Sequence, residues 1–291
     1  MIFTFMAAHK NIFPISKMSK VLAVSRSGYY RWVNRKPSKR EVENAHLSDS
    51  IKKVWKDSHR RYGSPRIHKQ LRRQGLKASR VRVARLMRRM GIASQIRRKW
   101  VKTTQSNHSW PVSPNLLNRR FTPNNLSEVW VSDITYIANN NGWLYLTVVM
   151  DLADRQIIGW SLSKTMRTTE TTLAAFKQAC SRRKPLRGMI FHSDRGSQYA
   201  CKQFTNHLRS RGIIQSMSRK GNCWDNAPVE SFFKTLKYEL KMQTPFEGYQ
   251  AARMSIFEFI EIWYNRKRLH SALDYQSPIE IEEQLKRKQA A

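Results

Sequence analysis

Acidic residues are scarce in this chain: 20 Asp and Glu stand against 54 Lys and Arg, a net charge of +34 over 291 residues. Such an imbalance points to a polyanionic partner, because clustered cations speed its association and release its counterions on binding. Cysteine is scarce too. Cys180, Cys201 and Cys223 are odd in number, at spacings that fit neither a disulfide framework nor a zinc ligand set, and they read as reduced structural thiols. No run of eighteen apolar residues exists, and the opening MIFTFMAAHKNIF has too short an apolar stretch, interrupted by Lys10, for a secretory signal. A cytoplasmic location with no membrane partner is therefore expected. No amphipathic helix pairs a continuous apolar face with enough basic residues to prefer lipid. Core-forming residues are plentiful. Hydrophobic residues make up 40%, with nine Trp and twelve Phe, so most of the chain should fold, into two or three domains.

The positive charge is unevenly spread. Residues 1–127 hold 30 basic and 4 acidic side chains, against 24 and 16 in residues 128–291, which places the anchor amino-terminally and the chemistry carboxy-terminally. In ISKMSKVLAVSRSGYYRWVNR a helix should end near Ala23 and a second should start at the cap Ser25. Val21, Leu22 and Val24 would supply the small core of this helix-turn-helix over residues 1–40. Arg26, Ser27, Tyr30 and Arg31 would face DNA, although an ordinary helical hairpin has the same spacing. A second helical DNA-binding domain is expected over 41–93. There Pro65 opens one helix and Ser79 caps RVRVARLMRRMG, with Val81, Val83, Ala84, Leu86 and Met87 inward and Arg80, Arg82, Arg85, Arg88 and Arg89 outward. So dense a like-charge cluster strains a helix unless an anion lies nearby, which favours phosphate contact. Residues 94–127, rich in Ser, Asn, Pro and Arg, read as a linker whose Trp100, Trp110 and Phe121 dock on the next domain or on DNA.

The most informative residues are three acids. In VWVSDITYI, alternation puts Val131, Asp133, Thr135 and Ile137 on one strand face, and a mid-strand carboxylate is costly unless paired or bound to metal. Two meander strands follow, and Asp151 and Asp154 at their turn are assigned to turn structure. After an amphipathic helix over 168–182, GMIFHSDRGSQY forms a fourth strand ending at Asp194, where crossover topologies open a crevice. If that strand lies parallel to the first, the two aspartates sit side by side and their repulsion calls for cations. Thirty-five residues separate Asp194 from Glu230, which shares a helix face with Lys234 and Lys237. In-line displacement at a phosphodiester uses two divalent ions about 3.5–4 Å apart. Mg²⁺ and Mn²⁺ favour such hard oxygen ligands. A solvent-facing Glu-Lys pair is the competing reading of Glu230. His192 is read as a packed strand residue. Phosphate contacts are expected from Arg195, Ser197, Lys234, Lys237 and the loop residues Arg219, Lys220, Asn222, Trp224 and Asn226. In FEFIEIWYNRKRLHSAL, Arg266, Lys267, Arg268 and His270 either touch DNA or flank a helix packed on the core, and packing is favoured for Trp263 and Tyr264.

Together SDITYI, FHSDRGSQY, RKGNCWDNAPVESFFKTLK and WYNRKRLHSALDYQSP resemble the second-reading-frame (OrfB) transposases of bacterial insertion sequences of family three, in the retroviral integrase superfamily, over essentially the whole chain. The resemblance implies an α/β fold: an RNase H-like mixed five-stranded sheet with flanking helices over 128–285, preceded by all-α helix-turn-helix domains and followed by a tail at 286–291. It implies a DDE catalytic core with Asp133, Asp194 and Glu230 as metal ligands, Mg²⁺ or Mn²⁺ with two ions per site, and DNA cleavage and strand transfer. Element ends and target duplex would be the substrates of a homo-oligomer. No Cys precedes residue 180, so the zinc module of retroviral integrases is not expected. A sustained heptad run is also lacking, and in similar elements a separate upstream frame supplies a zipper, so a fusion with that product is a further expected partner. A DNA-binding regulator with an idle core and a structure-specific nuclease are the alternatives.

Overall fold

The computed structural model describes residues 1–94, 111–240, 242 and 244–290. It contains two compact units, Met1–Ala93 and Ser94–Ala291. Trp100 and Trp110 lie outside the described residues.

The first unit is all-helical. Helices α1 (Ile2–Ala8), α2 (Ile15–Val21) and α3 (Arg26–Val33) surround a core of Met6, Met18 and Tyr29. The Ser25 hydroxyl caps α3 by accepting from Gly28 N at 3.0 Å, as its sequence position predicts. At Gly28 a Cβ would come within 2.7 Å of that hydroxyl and 3.3 Å of Phe3, so glycine lets α1 and α3 close. One expectation changes here: of the three residues assigned to this core, Leu22 and Val24 pack partly buried against it, but Val21 is 83% exposed, and Met6 of α1 is in the core instead.

Helix α4 (Lys39–Asp57) opens with a reciprocal capping box between Ser38 and Glu41, α5 (Ser64–Arg73) has Pro65 in its first turn, and α6 (Arg80–Arg89) is capped by Ser79. Their shared core is Leu47, Ile51, Val54, Ile67, Leu71, Val83, Leu86 and Met87. Val81 is 67% exposed, against expectation, since two residues turn a helix by about 200° from the buried Val83.

The second unit carries the expected mixed sheet, in the order β3-β2-β1-β4-β5. Strands β1 (Val129–Asn139), β2 (Gly142–Asp151) and β3 (Ile157–Ser163) form the antiparallel meander. Helix α7 (Thr172–Arg182) leads to β4 (Ile190–Ser193), which pairs parallel with β1, and α8 (Ser197–Ala200) and α9 (Lys202–Arg209) lead to β5 (Ile214–Met217). Trp130, Phe176, Phe191, Tyr199 and Phe204 are central to the core between sheet and helices, joined by edge-to-face ring contacts. Gly159 in mid-β3 has no room for a Cβ, which would strike the Ala175 carbonyl of α7.

Helix α10 (Ala227–Glu239) packs against β1, followed by α11 (Tyr249–Phe257), a π-helical stretch Glu258–Tyr264 and α12 (Pro278–Ala290). The carboxy-terminal segment is bound to the core by buried polar groups. Asn265 pairs with both the N–H and the carbonyl of Ile157 at 3.0 Å, and Arg268 reaches Glu239 at 2.9 Å. Arg183 joins Asp151 at 2.6 Å, Asp154 at 2.7 Å and Glu282 at 3.0 Å. Asp151 and Asp154 are thus tied up in turn structure. Trp263, Tyr264, Arg268 and His270 are buried, on the packing side of the two alternatives, while Arg266 and Lys267 are exposed. The final residues, expected as a tail, continue α12 to Ala290.

Candidate active site

Strand register brings the two aspartates together. Val131 lies opposite His192 in the parallel β1-β4 ladder, and Asp133 and Asp194 each come two residues further along. Neighbouring strands run roughly 4.8 Å apart, the scale on which two carboxylates repel strongly. On β1, Trp130 and Ile134 belong to the aromatic core, so alternation turns Asp133 to the opposite face. Its carboxyl is pushed well above the usual range, first by burial and then by Asp194, with a smaller push from Glu230. The Ile134 N–H, at 2.8 Å, and the Lys237 ammonium act the other way. Asp194 accepts from Gly196 N at 2.9 Å, and a Cβ on Gly196 would sit 3.0 Å from that carboxylate oxygen.

Glu230 reaches the site from the first turn of α10, where Val229, Phe232, Phe233 and Leu236 bury the opposite face. Burial raises its carboxyl, offset by Lys234, whose Nζ lies 3.7 Å away. Crowding around Lys237 lowers its ammonium, and Asp133 pulls it back up. Among the described residues no three His, Cys, Asp or Glu side chains close into a ligand cage. The acids have other partners: the two aspartates hold backbone N–H groups and Glu230 leans on Lys234. The donor set still suits a hard cation, since carboxylate oxygens are hard ligands and a divalent charge relieves what raises two of the three carboxyls: burial at Asp133 and Glu230, and repulsion from Asp194 at Asp133.

Beneath the pair, Tyr199 is 1% exposed, and its hydroxyl shares a 2.7 Å hydrogen bond with Ser132, the neighbour of Asp133. Burial, reinforced by Asp133 and Asp194, pushes this phenol far up, so it stays neutral. His192 is fully buried, hydrogen-bonded to Ser216 at 2.8 Å and Ser218 at 3.2 Å, and burial lowers it to about 4, a core histidine as expected.

The expected phosphate-binding residues divide. Lys220 and Trp224 are exposed, the latter by 63%, and Ser197 is half-buried at the start of α8. Arg195 donates through Nε to the Ser218 carbonyl at 2.7 Å, bracing the ends of β4 and β5. Arg219 grips Asp225 through Nε at 2.9 Å and Nη2 at 2.7 Å, while Asn222 accepts from Arg119 at 3.0 Å. Asn226, expected on DNA, is 4% exposed; its amide donates to the Ser132 carbonyl at 3.1 Å, which turns it inward. Sequence reasoning missed Asp225 as a hub and Arg119 altogether. The asparagine-rich NLLNRRFTPNN around Arg119 signals a turn, but nothing in it signals a partner 106 residues away.

In the helical unit, Arg26, Ser27, Tyr30 and Arg31 are all exposed on α3, and Arg80, Arg85, Arg88 and Arg89 on α6. Arg82 is the exception. Its Nε donates to Asn44 at 2.9 Å and its Nη2 to Glu43 at 3.2 Å, so the guanidinium fastens α6 to α4 and is not presented to a phosphate.

The integrase core domain family matches residues 124–223 and, through a second version of that domain, 211–278; an HTH-like domain matches 41–100. The chain is 42% identical to an uncharacterized 31 kDa protein of insertion element IS600 from Shigella sonnei, covering 91% of this chain and 97% of that protein. It is 42% identical to the transposase of IS904 from Lactococcus lactis, over 86% and 98%. With transposase InsF of IS3A from Escherichia coli it shares 39% identity, over 96% and 98%. The magnesium-bound HTLV-2 integrase catalytic core is similar at 19% identity and a TM-score of 0.41, over 55% of this chain and 97% of that one. A helical HTH-like domain and an integrase core, in a chain aligned almost end to end with these relatives, place it in the insertion-sequence transposase family, the polynucleotidyl transferases of insertion-sequence transposition.

Proposed function

We propose that Asp133, Asp194 and Glu230 are the catalytic metal ligands, holding two divalent cations, Mg²⁺ or Mn²⁺, for cleavage of element-end DNA and its joining to a target duplex. The observation that carries this reading is the parallel β1-β4 register, which runs Asp133 alongside Asp194 just past the end of β4, with the Asp133 carboxyl raised by burial and then by both other acids. When bound, the ions would neutralise the scissile phosphate and lower the pKa of an attacking water or 3′-hydroxyl.

The protein's own residues would then hold and orient. Asp133, Asp194 and Glu230 would hold the cations, Glu230 on leaving Lys234, and Lys234 with Lys237 would hold the phosphate. Tyr199 and Ser132 keep Asp133's strand in place. The exposed faces of α3 (Arg26, Ser27, Tyr30, Arg31) and α6 (Arg80, Arg85) bind duplex ends through backbone phosphates, and Lys220, Ser197 and Trp224 line the approach to the acids. The working form is a homo-oligomer on DNA, with the upstream-frame product as a second partner or fusion. Joining two ends to one target requires more than one copy of the site.

The test is Asp194→Asn in full-length protein with element-end DNA and Mg²⁺. The expected result is a loss of about 10³-fold or more in cleavage and joining, the order seen when a main electrostatic partner of a transition state is removed. DNA affinity should hold. Undiminished cleavage would reject the assignment, and cleavage without joining of a 3′-end to a second duplex would favour a nuclease.

A further inference from the structure

We propose that Arg119 and Arg219, gripped from behind by the buried carboxylate of Asp225, form a clamp for a backbone phosphate of DNA on the lip of the active site. The proposal deepens the strand-transfer reading above and rests on it for the location of the substrate.

Asp225 is fully buried and accepts five hydrogen bonds. Arg219 supplies three, from its backbone N at 3.0 Å, Nε at 2.9 Å and Nη2 at 2.7 Å. Arg119 Nε and Asn115 Nδ2 add one each at 2.9 Å. These bonds, those of Arg219 foremost, hold the carboxyl well below its usual range and keep it charged. One carboxylate balances one guanidinium, so the trio retains one positive charge. Both arginines keep an open side, with side chains 45% and 49% exposed. A lock for the loop would need only one of them. Among the described residues Asp225 is the one acid paired with either guanidinium, so the second arginine adds like-charge repulsion, which is favourable where an anion arrives.

The chain goes to some length to deliver Arg119. Asn118 and Arg119 are consecutive residues in the left-handed region, at φ 44° and 62°. The Asn115 side chain accepts from Asn118 N at 2.9 Å, Leu117 is 1% exposed, and the Leu116 and Leu117 N–H groups donate to Ser216 Oγ at 2.9 and 3.3 Å. A strained turn over-determined by its surroundings is a pattern found at ligand clamps. Asn222 accepts from Arg119 Nη2 at 3.0 Å and fixes the guanidinium plane. Planar donors fixed in advance suit bidentate capture of a phosphate and lose little freedom on binding.

The location follows from two hydrogen bonds. Ser218 N, just before Arg219, donates to the carbonyl of Ser193, the neighbour of Asp194, at 2.9 Å. Asn226, just after Asp225, donates to the carbonyl of Ser132, the neighbour of Asp133, at 3.1 Å. The loop carrying the clamp is therefore fastened at both ends beside the two aspartates, and Glu230 follows within the next helical turn. A phosphate held there belongs to the strand being cut or to the duplex being joined.

The experiment uses full-length protein, wild type and Arg119→Gln, Arg119→Lys and Asp225→Asn. Neutral methylphosphonates are placed one at a time in the element-end duplex and, in a second arm, in the target duplex. Arg119→Gln should lower the slope of log affinity against log salt by about 0.9. One methylphosphonate position that costs wild type at least threefold should cost this variant nothing, and the arm in which it appears identifies the duplex. Arg119→Lys should restore the slope while cleavage stays reduced, and Asp225→Asn should leave the slope unreduced. If Arg119→Gln does not fold, the same scan on Arg119→Lys decides, with the marked position weakened relative to wild type. An unchanged slope together with an unchanged scan in both arms would show that Arg119 only braces the loop, and the clamp is then wrong. Asp194→Asn keeps the failures apart, since it can reject the catalytic assignment while the phosphate scan stands.

Discussion

Arginine serves two purposes in this molecule, and the helical and sheet-containing units show why. In the helical unit Arg80, Arg85, Arg88 and Arg89 of α6 stand in solvent, whereas in the sheet unit Arg183 and Arg268 have side chains 9% and 7% exposed. The difference follows the supply of acid, 4 acidic residues among the first 127 against 16 in the remainder. A guanidinium enters a core only when carboxylates replace the water it loses. Where acids are few, Arg80, Arg85, Arg88 and Arg89 stay in solvent, while Arg82, on the same helix, is held by Glu43 and Asn44.

The strongest way to break this comparison is to remove a buried arginine. Arg183→Ala should destabilise the protein by about 3–5 kcal/mol, because it strands Asp151 and Asp154 without a counter-charge. Arg85→Ala on the exposed face should cost under about 0.5 kcal/mol, and similar losses in urea melts would contradict the division. The next effect is acid lability. The unfolded chain protonates His192 near its ordinary 6.5, but the buried ring resists until about 4, so the unfolded state binds more protons and stability falls as pH drops through that window. The full loss is about 3 kcal/mol, at roughly 1.4 kcal/mol per pH unit. Melts of His192→Gln should lack that slope; retention of the whole slope would assign it to other groups. The smallest effect sharpens the comparison within one helix. Arg85→Gln should lower the salt slope of DNA binding by about 0.9, while Arg82→Gln leaves it unchanged and loosens α6 from α4. Equal slopes for the two variants would mean that the tether does not keep Arg82 from DNA.

Local chemistry made much of the fold legible. Ser25, Ser38 and Ser79 cap where side-chain oxygens satisfy the first free N–H groups, and the alternation around Asp133 marks a strand buried on one face. Other features were hidden because they depend on distant partners. Val21 and Val81 face water since helix phase and the neighbouring helices, not hydrophobicity alone, decide which side is covered. Asn226 turns inward because its amide donates to the Ser132 carbonyl, 94 residues earlier in the chain. The residues after 110, read as linker, include an arm whose Leu117 is buried and whose Asn115 and Arg119 meet Asp225.

By itself the sequence determined the family: the motifs around Asp133, Asp194 and Glu230, in so basic a chain, mark an insertion-sequence transposase, and the proposed cation site rests on those same three acids. Those properties reside in residue identity and short-range periodicity, which survive without coordinates. The tertiary structure decided the pairing of β1 with β4, and with it the meeting of Asp133 and Asp194. It also decided which arginines are committed to carboxylates and which stand in solvent. Both outcomes depend on desolvation and on contacts between residues tens to a hundred positions apart, and chain order does not encode such distances.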